Sequence, residues 1–173
     1  MTPSPTAQTT AVRPVSGPNA LDLLRNDHRQ ILDLFALYAK GRETMEVSKK
    51  VMLAQRISRA LVVHTAIEEE IFNPAIRETV DNAVLLLDIA EVENDVIKRL
   101  AKDVSSGTPS VDPLFDAKVA VLELYFREHV RLKEEQLFPT IRKTALELSA
   151  LGEQLALRRK EALAAIGNIE MQS

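Results

Sequence analysis

The sequence predicts an all-α protein, an up-down-up-down antiparallel four-helix bundle with an extra C-terminal helix and a disordered N-terminal tail. Three observations lead there. Apolar residues recur at the i, i+3, i+4, i+7 spacing of an amphipathic helix over five successive segments. No segment alternates with the period of two that marks a strand. The breaks between segments are short and carry Gly, Pro, Ser or Asp. Long helices with short connections are how a sequence writes an antiparallel bundle. Glycine is only 5 of 173 residues, so strong helix formers dominate.

Residues 1–18 are rich in Thr, Ser and Pro and are expected to form a flexible tail; they lack the apolar centre of a secretory signal. The first helix is expected from about Asn19 to Lys40, stopping at Gly41, and the second from about Val47 to Thr79. The third spans roughly Asp81 to Val104 and is ended by SSGTPS. The fourth starts near Asp112–Pro113, an N-cap followed by proline at the first helical position, and continues to about Leu148. The last runs from about Ser149 to Glu170 and is amphipathic through Leu151, Leu155 and Ile166. The expected organisation is therefore a tail at 1–18, a bundle at 19–148 and a C-terminal helix at 149–173. The apolar side of that helix suits packing on its own bundle better than pairing with another chain, and oligomeric state is left open.

Composition excludes several functions. The net charge is −3 and no basic block stands out, so nucleic-acid binding has no electrostatic footprint. The absence of cysteine rules out disulfides, thiol chemistry, iron–sulfur clusters and thiolate zinc sites. No apolar run approaches the roughly 18–20 residues of a membrane span. These features fit a cytoplasmic protein with no nucleic-acid or membrane partner.

The chemistry lies in three histidines, His28, His64 and His129, each centred on the apolar face of a different expected helix. Imidazoles and carboxylates converging from separate helices are how a bundle builds a metal site. At about 100° per residue, Leu21, Leu24, Ile31, Leu32 and Phe35 fall within about 60° of His28. On the second helix Glu68 lies about 40° from His64, on the same inward stripe, while Glu69 and Glu70 point off it. Leu122, Tyr125, Phe126 and Leu132 flank His129. A buried carboxylate such as Glu68 needs a cation or a strong donor, which a metal or a buried salt bridge supplies equally. An internal echo adds to this: HTAIEEEIFNPAIRET (64–79) aligns without a gap on HVRLKEEQLFPTIRKT (129–144). It pairs His64 with His129, Pro74 with Pro139, and Ile76-Arg77 with Ile141-Arg142. The second and fourth helices thus read as equivalent elements of two hairpins, each kinked or ended by its proline.

Over roughly residues 20–145 the chain resembles the hemerythrin-like, or HHE cation-binding, family. The resemblance rests on LLRNDHRQIL at 23–32, H-x3-EEE-x-F-x-P at 64–74, EVENDVIKRL at 91–100 and H-x4-EE-x2-F-P at 129–139. It implies an up-down bundle carrying a non-haem iron centre, usually two irons bridged by carboxylates. Such a centre binds oxygen, nitric oxide or a related small molecule, or handles iron itself. Carried over residue by residue, His28 is the first-helix ligand, His64 and Glu68 are the H-x3-E of the second helix, and His129 is the fourth-helix ligand. After His129 the one-turn position is Lys133, and Glu134 follows. Glu134 matches an H-x4-acid spacing, but an ideal helix sets it about 140° from His129, so a widened turn such as a π-bulge is required to bring it inward. Otherwise Glu134 is solvated and Lys133 pairs with Glu68. On the third helix, Ala90 and Asn94 stand where the family commonly has histidine. Leu86, Ile89, Val96, Ile97, Leu100 and Val104 define an apolar arc with Glu93 at its centre. Glu93 is therefore expected as a replacement ligand, the alternative being an ion pair with Lys133.

Such an oxygen-rich set suits iron or manganese, and zinc also fits. One ion or two unequal ones are both compatible with it. The leading reading is a binding protein that carries or senses oxygen, nitric oxide or iron, its partners a metal ion and a small diatomic ligand. A second is a metal-dependent enzyme reacting with peroxide or oxygen, with Tyr125 as proton or electron donor. A third is a metal-free bundle of structural or interaction role, in which Glu68, Glu93 and Lys133 form a buried ion network.

Overall fold

A computed structural model describes residues 19–171; the expected tail at 1–18 lies outside the described residues. Helix α1 spans Ala20–Gly41. Its N-cap Asn19 accepts a hydrogen bond from the Leu21 amide at 2.9 Å, satisfying one of the free N–H groups of the first turn. Helix α2 (Val47–Ile67) passes through a π turn (Glu68–Phe72) into α3 (Asn73–Thr79). A 3-10 turn at Asp81–Ala83 leads into α4 (Val84–Ser106). Helix α5 (Phe115–Arg131) passes through a second π turn (Leu132–Leu137) into α6 (Phe138–Ile141), and α7 (Leu148–Met171) follows. Helix α2 packs on α1 and α4, and α5 on α4 and α1, which closes the four-membered bundle. Helix α7 lies against α1, α2 and the first π turn. It packs on its own bundle, burying Leu151 and Leu155 among Leu21, Leu24 and Ile67. No described helix is long and apolar enough to cross a membrane.

The fourth helix departs from expectation at both ends. It begins at Phe115, because Asp112 accepts from the Leu114 amide at 2.9 Å and from Lys118 Nζ at 2.8 Å, holding Pro113 and Leu114 in a turn ahead of the helix. It ends at Ile141 instead of Leu148. There the Thr144 hydroxyl and amide both donate to the Ile141 carbonyl, at 2.7 and 3.0 Å, and close the last turn tightly.

Both π turns fall inside the internal echo, each between its histidine and its proline. A proline ring clashes with the carbonyl four residues back. Widening the preceding turn relieves that clash and lets the helix continue with a changed rotation. The same local sequence produces the same distortion twice.

Two apolar cores fill the bundle. One gathers the start of α1, the first π turn, α3, α6 and α7. The other gathers the second half of α1, the first half of α2, the second half of α4 and most of α5. Between them lies a buried polar layer of His28, His64, Glu68, Asn94, His129 and Lys133. Helix α4 meets that layer with a different face from the one its hydrophobicity indicates. Its buried residues are Leu87, Ala90, Asn94, Ile97, Ala101 and Val104, whereas Ile89 is 38% exposed. Small residues set the close-packed face, so its centre is Asn94, and Glu93 sits at its edge.

At the far end of the second core, the Tyr38 hydroxyl donates to Asp116 Oδ1 at 2.6 Å and Lys50 Nζ to Oδ2 at 3.0 Å, joining α1, α2 and α5. Partial burial raises the Asp116 pKa, but these two bonds outweigh it and hold the carboxyl below its ordinary 3.8. A depressed acid stabilises the fold above its unfolded-state pKa and loses that contribution as pH falls through the folded value. Asp116→Asn should therefore lower Tm at neutral pH, and the gap to wild type should close below pH 3.8. Melting curves of both proteins between pH 7 and pH 3 check this.

Candidate metal centre

His28 comes from the middle of α1, His64 from the end of α2, Glu68 from the first residue of the π turn and His129 from the end of α5. Each of the four is at most 1% exposed. Each offers one ligand atom, and these atoms lie within 4.8 Å of one another. The ring centroids are 4.9 Å (His28–His64), 5.7 Å (His64–His129) and 6.0 Å (His28–His129) apart. Phe138 stacks on His28 and Phe126 on His129, so the rings are held from the apolar side.

Every imidazole has a carboxylate facing its Nδ1. Glu134 Oε1 is 2.7 Å from Nδ1 of His28, Glu93 Oε2 is 3.5 Å from Nδ1 of His129, and Asp27 Oδ2 is 4.0 Å from Nδ1 of His64. Only the His28 contact is a hydrogen bond; Nδ1 of His64, Nδ1 of His129 and Glu93 Oε2 are buried without a hydrogen-bonding partner. A carboxylate bonded to Nδ1, as on His28, takes the ring hydrogen and leaves the Nε2 lone pair for another use. The Nε2 atoms face the cluster: Nε2 of His129 is 3.2 Å from Glu68 Oε2 and Nε2 of His64 is 3.6 Å from Glu68 Oε1. The Nε2 atoms of all three rings and Glu68 Oε1 are buried without a hydrogen-bonding partner. Native proteins rarely leave even one such atom unsatisfied; three convergent imidazole nitrogens beside Glu68, whose Oε1 already has the Lys133 ammonium at 3.3 Å, fit a cation. Donors around a tetrahedral zinc ion stand about 3.4 Å apart, so the side chains would have to draw together to close on one ion.

Electrostatics divide the rings. Burial pushes His28 down to about 4 despite its bond to Glu134, so it is a neutral imidazole at physiological pH. Burial also opposes charge on His129, but the adjoining Glu68 carboxylate outweighs it and raises that ring above its ordinary value. Glu68 is itself held well below the usual carboxylate range: burial would raise it, but the Lys133 ammonium and the two nearby imidazoles win. A metal at this place competes with the His129 proton for the same negative charge.

Four of the six residues expected from sequence come together, and the other two stand one imidazole away. Glu134 is turned inward by the second π turn, but onto the outer nitrogen of His28, with Arg25 Nε 3.5 Å from its other oxygen. Glu93 stands behind His129 in the same manner and does not meet Lys133. Lys133 is fully buried; its Nζ lies 3.3 Å from Glu68 Oε1, donates to Asn73 Oδ1 at 2.9 Å and sits 5.2 Å above the Phe72 ring. Asn94 donates to Glu68 Oε2 at 3.4 Å. Tyr125, expected beside His129 on the inward face, is 41% exposed. Two contributors were not anticipated, Asp27 and Arg159, whose guanidinium grips Asp27. Both had a signal: Asp27 sits between Leu24 and Ile31, and Arg159 between Leu155 and Ala162, all on buried stripes.

A groove of about 440 Å³ lined by Arg25, His28, Arg29, Leu32, Val130 and Glu134 reaches the cluster from the α1–α5 side. A larger groove of about 870 Å³ on the α2–α4 face shares no residue with the cluster.

Residues 19–141 match the family model of the hemerythrin HHE cation binding domain. The fold is similar to the crystal structure of a hemerythrin HHE cation binding domain-containing protein from Mycobacterium kansasii. The TM-score is 0.70 at 20% identity, covering 86% of this chain and 89% of that one. No match is found among curated proteins.

Breaking a buried ion pair from one side leaves an uncompensated charge and typically costs about 3–5 kcal/mol. Lys133→Met should destabilise the metal-free fold by about that amount, and adding Glu68→Gln should recover most of it. Urea unfolding in the presence of a chelator measures both. Equal losses in the single and double variants would mean that Lys133 contributes packing alone.

Proposed function

Because the chain belongs to the hemerythrin HHE cation-binding family, we propose that it is a metal-binding protein holding one non-haem ion at His28, His64, Glu68 and His129. Glu134, Glu93 and Asp27 then act as the carboxylates that orient the three rings. The observation that carries this reading is the arrangement of the imidazoles: three inner nitrogens buried, convergent and without a hydrogen-bonding partner, with the His28 ring fixed from behind by Glu134. A structural core histidine needs neither feature.

The ion count follows from Lys133. Its ammonium stands against Glu68 Oε1, where it supplies the positive charge that a second bridged ion would otherwise bring. Asn94 offers Glu68 an amide donor from α4. Three imidazoles with a carboxylate suit iron, with manganese and zinc as competitors. Iron held by these four residues would supply a redox-active Lewis acid, the chemistry that suits a diatomic ligand such as oxygen or nitric oxide. The chain's own residues hold the rings, exclude bulk water with Phe126 and Phe138, and admit small molecules through the groove beside His28. Tyr125, the proton or electron donor of an enzymatic reading, is partly in solvent, which favours binding over turnover.

Lys133 also favours a second reading, a metal-free bundle in which it answers Glu68 alone. Elemental analysis of protein from iron-supplemented growth, purified without chelators, separates the two. One equivalent per chain is expected, lost in His64→Ala and in Glu68→Ala. Lys133→Glu, which places a carboxylate where the ammonium stood, should raise the count above one. Less than about a tenth of an equivalent in wild type would favour the metal-free bundle. Peroxide consumption by the loaded protein, abolished by His64→Ala, would bring the enzymatic reading back.

A further inference from the structure

Helix α7 lies beyond the residues that match the family domain, yet it reaches the centre. Arg159 projects from its buried stripe and grips Asp27 with two nitrogens, Nη2 to Oδ1 at 3.0 Å and Nε to Oδ2 at 3.2 Å. Asp27 is 5% exposed, and the same Oδ2 faces Nδ1 of His64 at 4.0 Å. A partly exposed guanidinium on α7 thus holds a buried carboxylate on α1, which faces an imidazole on α2 across 4.0 Å, beyond hydrogen-bond reach. The neighbouring Arg158 makes a separate pair with Glu70 in the π turn, at 2.6 and 3.0 Å.

We infer that Arg159 is a positioning residue for the metal centre, fixing Asp27 behind His64 so that the His64 ring keeps its hydrogen on Nδ1 and turns Nε2 toward Glu68. Three facts support this. The two-point grip fixes the plane and direction of the carboxylate, as a lysine at the same place would not. The buried Asp27 charge is compensated from the outside of the bundle, so Oδ2 stays available to the ring. Nδ1 of His64 has no hydrogen-bonding partner, and at 4.0 Å the Asp27 charge is what faces it.

The inference rests on the metal-site reading, but its first test uses metal-free protein. Nitrogen-15 NMR of the imidazoles reports each ring's tautomer. In wild type His64 should be in the Nδ1–H form. In Arg159→Gln and in Asp27→Asn it should become a mixture, while His28, which keeps Glu134 at 2.7 Å, should not change. Arg159→Lys should restore the tautomer in part. Arg158→Gln removes the Glu70 pair and the longer Glu161 contact on α7 itself and should leave His64 as it is, which separates Arg159 from a general loosening of α7. Should Arg159→Gln fail to fold, the Lys variant and Asp27→Asn carry the test. An Nε2–H ring in wild type, or a His64 signal identical in wild type and the folded variants, overturns the inference. The second arm is cobalt(II) titration, where Arg159→Gln should weaken affinity about 10–100-fold, the usual effect of losing a group that orients a metal-bound histidine. Wild-type protein that takes up no cobalt, together with the expected tautomer change, would count against the metal reading and leave the positioning role of Arg159 intact.

Discussion

A fully buried glutamate organises this molecule. Glu68 is buried where the helices meet, with the Lys133 ammonium from the α5 side, an Asn94 amide donor from α4, and Nε2 of His129 and of His64 facing it at 3.2 and 3.6 Å. A lone carboxylate in such a place is far costlier than any single packing contact is favourable. The polar layer around it therefore divides the bundle into two apolar cores. It also sets the register of the helices, since a slip of one turn would strand Glu68 between leucines. The aromatic rings that bound the layer keep the imidazoles in place and the water out, so binding geometry and fold are two aspects of one arrangement.

The fold was legible because periodicity and chain breaks are local, and the convergence of four candidate residues was legible for the same reason. His28, His64, Glu68 and His129 can be placed by rotation along a regular helix, and α1 and α2 are regular as far as His64. The reading failed where helices are irregular or small residues set the contact face. On α4 the apolar arc pointed to Glu93, because Ile89 and Leu86 outweigh Ala90 and Asn94 on any hydrophobicity scale. Close approach to α2 and α5 is made by the small residues, and that rotates the helix. Past Arg131 the widened turn breaks the rotation count. Glu134 arrives inward as the H-x4-acid spacing required, but behind His28, a ring on another helix whose location no local rule gives. Asp27 and Arg159 lay on apolar stripes and were readable as anomalies there; their pairing, across 132 residues of sequence, was not.

The carboxylates behind the rings show how unequal three similar arrangements can be. Glu134 is close to its imidazole and braced by Arg25; Glu93 is intermediate; Asp27 is distant and held by the appended helix. Each ring thus answers to a different part of the chain. Behind His64 stands a carboxylate held by α7, and behind His28 one that lines the groove with Arg25.

The internal echo places Glu68 and Lys133 at the same position of two equivalent hairpins, and these are the two residues that meet at the centre. A contact between equivalent positions is the geometry of a two-fold interface, where a residue faces its own copy. With glutamate in both copies the contact repels itself and demands positive charge from outside. With lysine in both it repels and offers a metal nothing. This chain carries one of each, so the pseudo-symmetric contact is neutral on its own account. An ion entering this interior would therefore be a guest: Lys133 already answers Glu68, so the imidazole nitrogens would have to supply most of its hold.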